Sequence, residues 1–318
     1  MRATPAITRA PRRRRSLGRQ IRSLAGLILF LFIASVGISV YVGWKLTHPA
    51  PLALSDSPEH YGMTFESIEF PSRQEGILLK GWYLPGKPPA EGTEAIAKPN
   101  IIMAHGYKNN RLQTTTQAIR IAQDLTERGY NVMMFDFRNS GESGGTMTSV
   151  GYYEKYDLLG AIDWMKTQHP AKIALLGFSM GGTTSLLAAA EEPSVAGVIA
   201  DSPFNHLTHY LQDNLSVWSH LPNIPFTPLI LGILPRLTGI DPDQVDGLSA
   251  VDRIYPRPVL FIHSTDDPSI PYTNSESMWE KHKDRFEFWK TSGAGHARNY
   301  PEAPQEYMKH VTEFLDKL

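Results

Sequence analysis

Residues 172 to 192 read KIALLGFSMGGTTSLLAAAEE. Lys172 to Leu176 is a run of strand length, apolar after its first residue, and Gly181 to Glu191 has the small and aliphatic composition of a buried helix. Between them stands Gly177-Phe178-Ser179-Met180-Gly181, a G-x-S-x-G pattern. A serine on so sharp a strand-to-helix turn is held in strained backbone geometry with its hydroxyl exposed above the sheet. Glycines flank it because Cβ atoms there would collide. The pentapeptide alone is a weak signal, but its position between a buried strand and a helix makes Ser179 a candidate nucleophile rather than an ordinary turn serine.

Outward from this unit the same alternation recurs. FESIEF (65–70) and GILLKGWYL (76–84) read as an antiparallel pair, and 85–99 as a surface loop. Strands are expected at 100–104, 131–135, 172–176, 195–200, 258–263 and 286–290, with helices at 112–128, 153–167, 181–191 and 304–318. Short buried strands alternating with helices require right-handed crossovers and a mostly parallel sheet covered on both faces, an α/β doubly wound domain over 61–318. Residues 203–250 break the pattern with six prolines among apolar runs. They read as an inserted cap of short helices, since proline density opposes long ones.

The chain has 318 residues, no cysteine, 31 basic and 32 acidic side chains. Absence of cysteine excludes a disulfide scaffold, a zinc knuckle and a thiolate nucleophile. Eight arginines precede residue 23 (Arg2, Arg9, Arg12, Arg13, Arg14, Arg15, Arg19 and Arg22), leaving a remainder with 23 basic against 32 acidic groups. So acidic a body argues against nucleic acid as a partner. After this basic arm (1–23), residues 24–44 form an uncharged apolar run ending near Tyr41 and Trp44. At 1.5 Å per residue it spans about 30 Å, so a transmembrane helix is expected in preference to a signal peptide, whose apolar region is shorter. The arginines predict a cytoplasmic N-terminus and an extracytoplasmic body. Residues 45–60, rich in proline, read as a linker lifting the domain off the membrane.

A serine hydroxyl needs a base to take its proton, and the base needs an orienting acid, in the chain order Ser, acid, His. His296 lies in the small-residue loop Gly293-Ala294-Gly295-His296-Ala297, after the last strand, where an imidazole can swing over a strand end. His310, His282, His263, His206 and His209 sit in less suitable surroundings. The acid is expected in the loop HSTDDPSIP, where Asp266 and Asp267 are adjacent and only one can face the imidazole. Asp201, ending another strand, is a second possible position, with turn capping as its simpler role. The oxyanion donors expected are the backbone N–H of Met180, at a helix N-terminus, and of Tyr107, after the turn at Gly106. His105 reads as a buried histidine bonding loop carbonyls. No metal or cofactor is expected, because neither H-E-x-x-H nor a phosphate-binding loop occurs and His206-x-x-His209 is too isolated to form a metal pair.

His105-Gly106-Tyr107, Asp136-x-Arg138-x-x-Gly141-x-Ser143, the Ser179 motif, the acid loop and Gly295-His296 together resemble the α/β-hydrolase superfamily, over about residues 60–318. More narrowly they resemble membrane-anchored or exported bacterial serine hydrolases of the serine-aminopeptidase-like group. In that family the acid loop commonly reads His-Gly-x-x-Asp-x-x-x-Pro. Laid on His263 and Pro271, this selects Asp267, with Ser264 standing where glycine is usual. The resemblance implies a triad of Ser179, Asp267 and His296 and a structural role for Asp136 and Arg138. The expected function is hydrolysis of a small carboxylic ester. A peptidase or amidase, an acyltransferase and a surface binding module with a dead site are the alternatives.

Overall fold

A computed structural model describes residues 17–88 and 98–318. Most of the arginine arm and the centre of the 85–99 loop therefore lie outside the described residues. The elements in chain order are α1 (Leu17–Thr47), β1 (Glu66–Pro71), β2 (Leu78–Leu84), β3 (Asn100–Ala104), α2 (Ala118–Glu127), β4 (Val132–Phe135), α3 (Glu154–Gln168), β5 (Ile173–Phe178), α4 (Met180–Glu191) and β6 (Val195–Asp201). There follow α5 (Leu207–Ser219), α6 (Asn223–Thr238), α7 (Gly247–Ile254), β7 (Val259–Ser264), α8 (Thr273–Trp279), β8 (Glu287–Thr291), α9 (Asn299–Glu302) and α10 (Pro304–Leu315). The eight strands form one sheet in the order β1-β2-β4-β3-β5-β6-β7-β8. β2 pairs antiparallel with β1 and β4, and every later pairing is parallel.

Strands β3 to β7 are almost wholly buried because helices cover both faces, which is why their sequences are continuously apolar instead of alternating. On one face Leu158, Leu186, Val251 and Phe261 pack together; on the other, Ile121, Ile199, Tyr307 and Phe314 do. Strand order reverses between β3 and β5, so the loops leaving these two strands diverge and open a crevice at their carboxyl ends. The loops carrying Tyr107 and Ser179 are those two.

Three elements differ from expectation. Helix α2 starts at Ala118, six residues later than the apolar spacing suggests, because Arg111 to Gln117 is taken up in turns with Gln113 and Gln117 at positive φ. Helix α6 is 16 residues long despite its prolines. Ile224 is extended, so the regular helix starts at Pro225, where a missing N–H forfeits little, with Pro228 and Pro235 inside it. Helix α1 continues past residue 44 to Thr47, and the segment behind it is not a free spacer. Thr148 donates its N–H to the Thr47 carbonyl at 2.7 Å, Asn139 bonds the Pro49 carbonyl at 3.1 Å, and Asn110 bonds those of Leu52 and Ala53 at 3.0 and 3.1 Å. The linker lies along the domain surface. The C-terminal part of α1 packs on α6, with Ser39, Gly43 and Thr47 buried at four-residue spacing.

Candidate active site

Ser179 links β5 to α4 with φ 54° and ψ −119°, a left-handed conformation that a side chain adopts only when its surroundings enforce it. Its N–H donates to the Asp201 carbonyl at the end of β6, 2.8 Å away. A Cβ on Gly177 would stand 2.2 Å from the Gly181 carbonyl oxygen, and one on Gly181 would stand 2.1 Å from that of Ala104. Both glycines are therefore needed for α4 to pack so closely on β3 and β5.

The structure brings Ser179, His296 and Asp267 together. Ser179 Oγ is 2.9 Å from His296 Nε2, and His296 Nδ1 is 2.6 Å from Asp267 Oδ2. A carboxylate at Nδ1 fixes the tautomer, with Nδ1–H donating to it and Nε2 free to accept from the hydroxyl. Burial pushes the Asp267 carboxyl up, but hydrogen bonds from His263, His296 and the Ile270 N–H outweigh it and hold the group well below the usual carboxylate range. Its Oδ1 accepts the N–H groups of Ser269 and Ile270 at 2.8 and 2.9 Å, so the carboxylate cannot rotate away.

Asp266 faces the other way. Its Oδ1 accepts the Gly293 N–H at 2.7 Å and the Ser264 hydroxyl, which together lower its carboxyl. Ser264 Oγ also accepts the Ala294 N–H at 3.3 Å. The serine at the position where glycine is usual therefore ties the acid loop to the histidine loop. That loop bends at Gly293, Gly295 and Ala297, with φ of 84°, 68° and 49°. Ala297 donates its N–H to Ser202 Oγ at 3.2 Å and accepts from Thr116 Oγ1 at 2.8 Å. The end of β6 thus holds both the Ser179 backbone, through Asp201, and the His296 loop, through Ser202.

Met180 is the first residue of α4, where backbone N–H groups lack intrahelical acceptors. A Cβ on Gly106 would be 3.5 Å from Ser179 Cβ, so the loop carrying Tyr107 passes over the serine. Gln113 Oε1 accepts the Gly106 N–H and fixes that loop. The Tyr107 hydroxyl donates to the Leu46 carbonyl in the last turn of α1, and burial raises its phenol. His105 is buried and structural: Nδ1 bonds the Gly106 carbonyl at 2.8 Å, and Nε2 accepts the Phe137 N–H at 3.0 Å, which keeps the ring neutral. Burial lowers its imidazole accordingly.

Asp201 does not bond His296. Its Oδ1 accepts from Ser202 Oγ at 2.9 Å and Asn299 Nδ2 at 2.8 Å, and burial pushes its carboxyl up to about 6. Asp136 is paired with buried Arg111, and a Cβ on Gly141 would lie 2.1 Å from its Oδ2. Arg138 is paired with buried Asp157. His206 and His209 stack with centroids 4.3 Å apart, and no group of three potential metal ligands occurs among the described residues. Sequence reasoning missed the roles of His263 and Asn299. His263 Nε2 lies 3.2 Å from Asp267 Oδ2 and 2.9 Å from the Ile270 carbonyl, and Nδ1 lies 2.8 Å from Ser275 Oγ. Only its position four residues before Asp267 hinted at this.

Above Ser179 lies a cavity of about 140 Å³, lined by Ser179, His296, Met180, Tyr107, Leu46 and Trp218 among other mostly apolar residues. No Asp, Glu, Lys or Arg lines it among the described residues.

A model of the family described as X-Pro dipeptidyl-peptidase (S15 family) matches residues 83–306. The uncharacterized protein YqkD of Bacillus subtilis is 35% identical over 225 residues, covering 69% of this chain and 72% of its own length. Lysophosphatidylserine lipase ABHD12 of Macaca fascicularis is 23% identical over 306 residues, covering 87% of this chain and 73% of its own. An esterase of Pyrococcus furiosus superposes with a TM-score of 0.70 at 25% identity, over 86% of this chain and 98% of that one. With a central parallel sheet, a serine turn after β5 and a family match over most of its length, the chain belongs to the S15 family of α/β hydrolases.

Proposed function

We propose that the protein is a serine hydrolase that cleaves carboxylic esters by acyl transfer to water through an acyl-enzyme on Ser179. The observation that carries this reading is the hydrogen-bonded series Ser179 Oγ, His296, Asp267, with separations of 2.9 and 2.6 Å. Ser179 Oγ attacks the ester carbonyl while His296 Nε2 takes its proton. The oxyanion is met by the Met180 and Tyr107 N–H groups, and Asp267 balances the imidazolium. His296 then returns the proton to the departing alcohol, and water repeats the sequence to release the acid. A dipeptidyl-peptidase must hold the ammonium of a free N-terminus. A cleft without acidic side chains among its described residues offers no carboxylate to balance that charge, which favours the ester over the peptide. We further read α1 as a single-pass anchor, with the arginine arm in the cytoplasm and the hydrolase domain outside.

A fluorophosphonate probe tests the chemistry. It should label the wild-type chain and not Ser179→Ala, and that variant or His296→Ala should lose about 10³-fold or more in kcat on an acyl ester while remaining folded. Retention of most activity in either variant would overturn the reading. Formation of a new ester with an added alcohol would identify an acyltransferase instead.

A further inference from the structure

A second apolar cavity, of about 70 Å³, lies between α1, α5 and α6. It shares Leu46, Val150, Leu211 and Leu215 with the cleft over Ser179. Beyond those four its walls are mainly Ile230, Leu231 and Leu234 of α6, together with Thr47, Leu207 and Ile240. The two cavities are thus neighbours across a shared wall that includes Leu46, the second lying between the apolar N-terminal helix and the cap.

Trp44, exposed and stacked on His48, marks the level where the apolar run of α1 ends. Leu46 stands two residues above it, about 3 Å along the helix, and buried Ser39 about 7.5 Å below it. Gly43, between them, receives α6 closely: a Cβ there would be 3.1 Å from Leu234 Cδ1 and 3.7 Å from Ile230 Cγ2. The cap therefore flanks the part of α1 that lies at and just below the interface. It also shows solvent large apolar side chains, with Ile224 83%, Leu237 56% and Val217 54% exposed. Exposed apolar side chains of this kind, spread over α5 and α6, are suited to sinking a few ångströms into a bilayer.

We propose that this second cavity is the acyl-chain subsite of the hydrolase, and that its substrate is a membrane lipid ester whose chain enters from the bilayer between α1 and α6. The inference rests on reading Ser179 as the nucleophile and α1 as an anchor. A cavity of this size holds part of one alkyl chain. The ester of such a lipid lies at the glycerol level of the interface, near the level of Leu46, which lines both cavities. The anchor helix itself forms one wall of the binding site, and its Leu46 carbonyl is bonded by the hydroxyl of Tyr107, the residue to which the proposed mechanism assigns an oxyanion N–H.

The test uses the full chain reconstituted in phosphatidylcholine vesicles, with glycerol monoesters of graded acyl length as probes. Wild type should hydrolyse esters of twelve or more carbons faster than butyryl ester. Ile230→Trp and Leu234→Trp, which fill the second cavity from the α6 side, should lower the long-to-short ratio of kcat/KM by about tenfold or more. Fluorophosphonate labelling of both variants confirms that Ser179 is intact and the domain folded, and flotation with the vesicles confirms the anchor. Labelling and flotation with an unchanged ratio, or a wild-type preference for butyryl ester, would sink the lipid subsite alone. Loss of labelling in the wild type sinks the hydrolase reading instead, and failure to float sinks the anchor.

Discussion

Asp266 and Asp267 are chain neighbours with opposite tasks. Asp267 is buried under the imidazole, and Asp266 pins the histidine loop from outside through Gly293. Asp267→Asn should therefore cost about 10³- to 10⁴-fold in kcat/KM through loss of the tautomer and of the charge that balances the imidazolium, and Asp266→Asn less than about tenfold. Ester kinetics on the two variants check this, and the reverse order would reassign the acid. Asp201 behaves differently. Its folded value of about 6 lies above that of an exposed carboxyl, so ionisation penalises the folded state. The penalty is fully present above about pH 6 and fades as pH falls toward 4, amounting at most to about 3 kcal/mol. Asp201→Asn, which keeps an acceptor for Ser202 and Asn299, is expected to raise Tm more at pH 8 than at pH 5. Thermal melts at the two pH values read it directly. At this scale the serine and the histidine were legible because their glycine context is local in sequence. The role of Asn299 was not, because it depends on the loop after β8 meeting the end of β6, and that of His263 depends on how the acid loop folds back over its own strand.

At the scale of elements, close approach decides which glycines matter. Gly181 has the Ala104 carbonyl 2.1 Å from where a Cβ would sit, whereas Gly293 has nothing within 4 Å and only a φ of 84° to accommodate. Gly181→Ala is expected to destabilise the fold by about 3 kcal/mol or more, and Gly293→Ala by about 1 kcal/mol, measured by denaturant unfolding. The same scale shows where periodicity misleads. The apolar spacing that suggested a helix from residue 112 continues through turns whose backbone is set by Gln113 and its bonds to Gly106 and Thr116. In α6 a proline count overstated the damage, since what matters is which hydrogen bond each proline removes.

Across the whole molecule, the parallel sheet and its insertion followed from alternation alone, but the path of residues 45–60 did not. Nothing in a proline-rich segment announces that Asn110, Asn139 and Thr148 will bind its carbonyls. The proposed outward orientation of the domain predicts a protease pattern on intact cells. The domain loops should be cut, while Pro49 to Ala53, mostly exposed but with carbonyls tied by Asn139 and Asn110, should resist longer than an untethered linker, and full protection of the domain would contradict the orientation.

The end of β6 has one more effect. Because Asp201 grips the Ser179 backbone and Ser202 grips the His296 loop, a shift of that strand carries both segments along in common. Such a displacement cancels from their separation, so flexing of the sheet along this strand leaves the 2.9 Å contact between Ser179 Oγ and His296 Nε2 nearly unchanged.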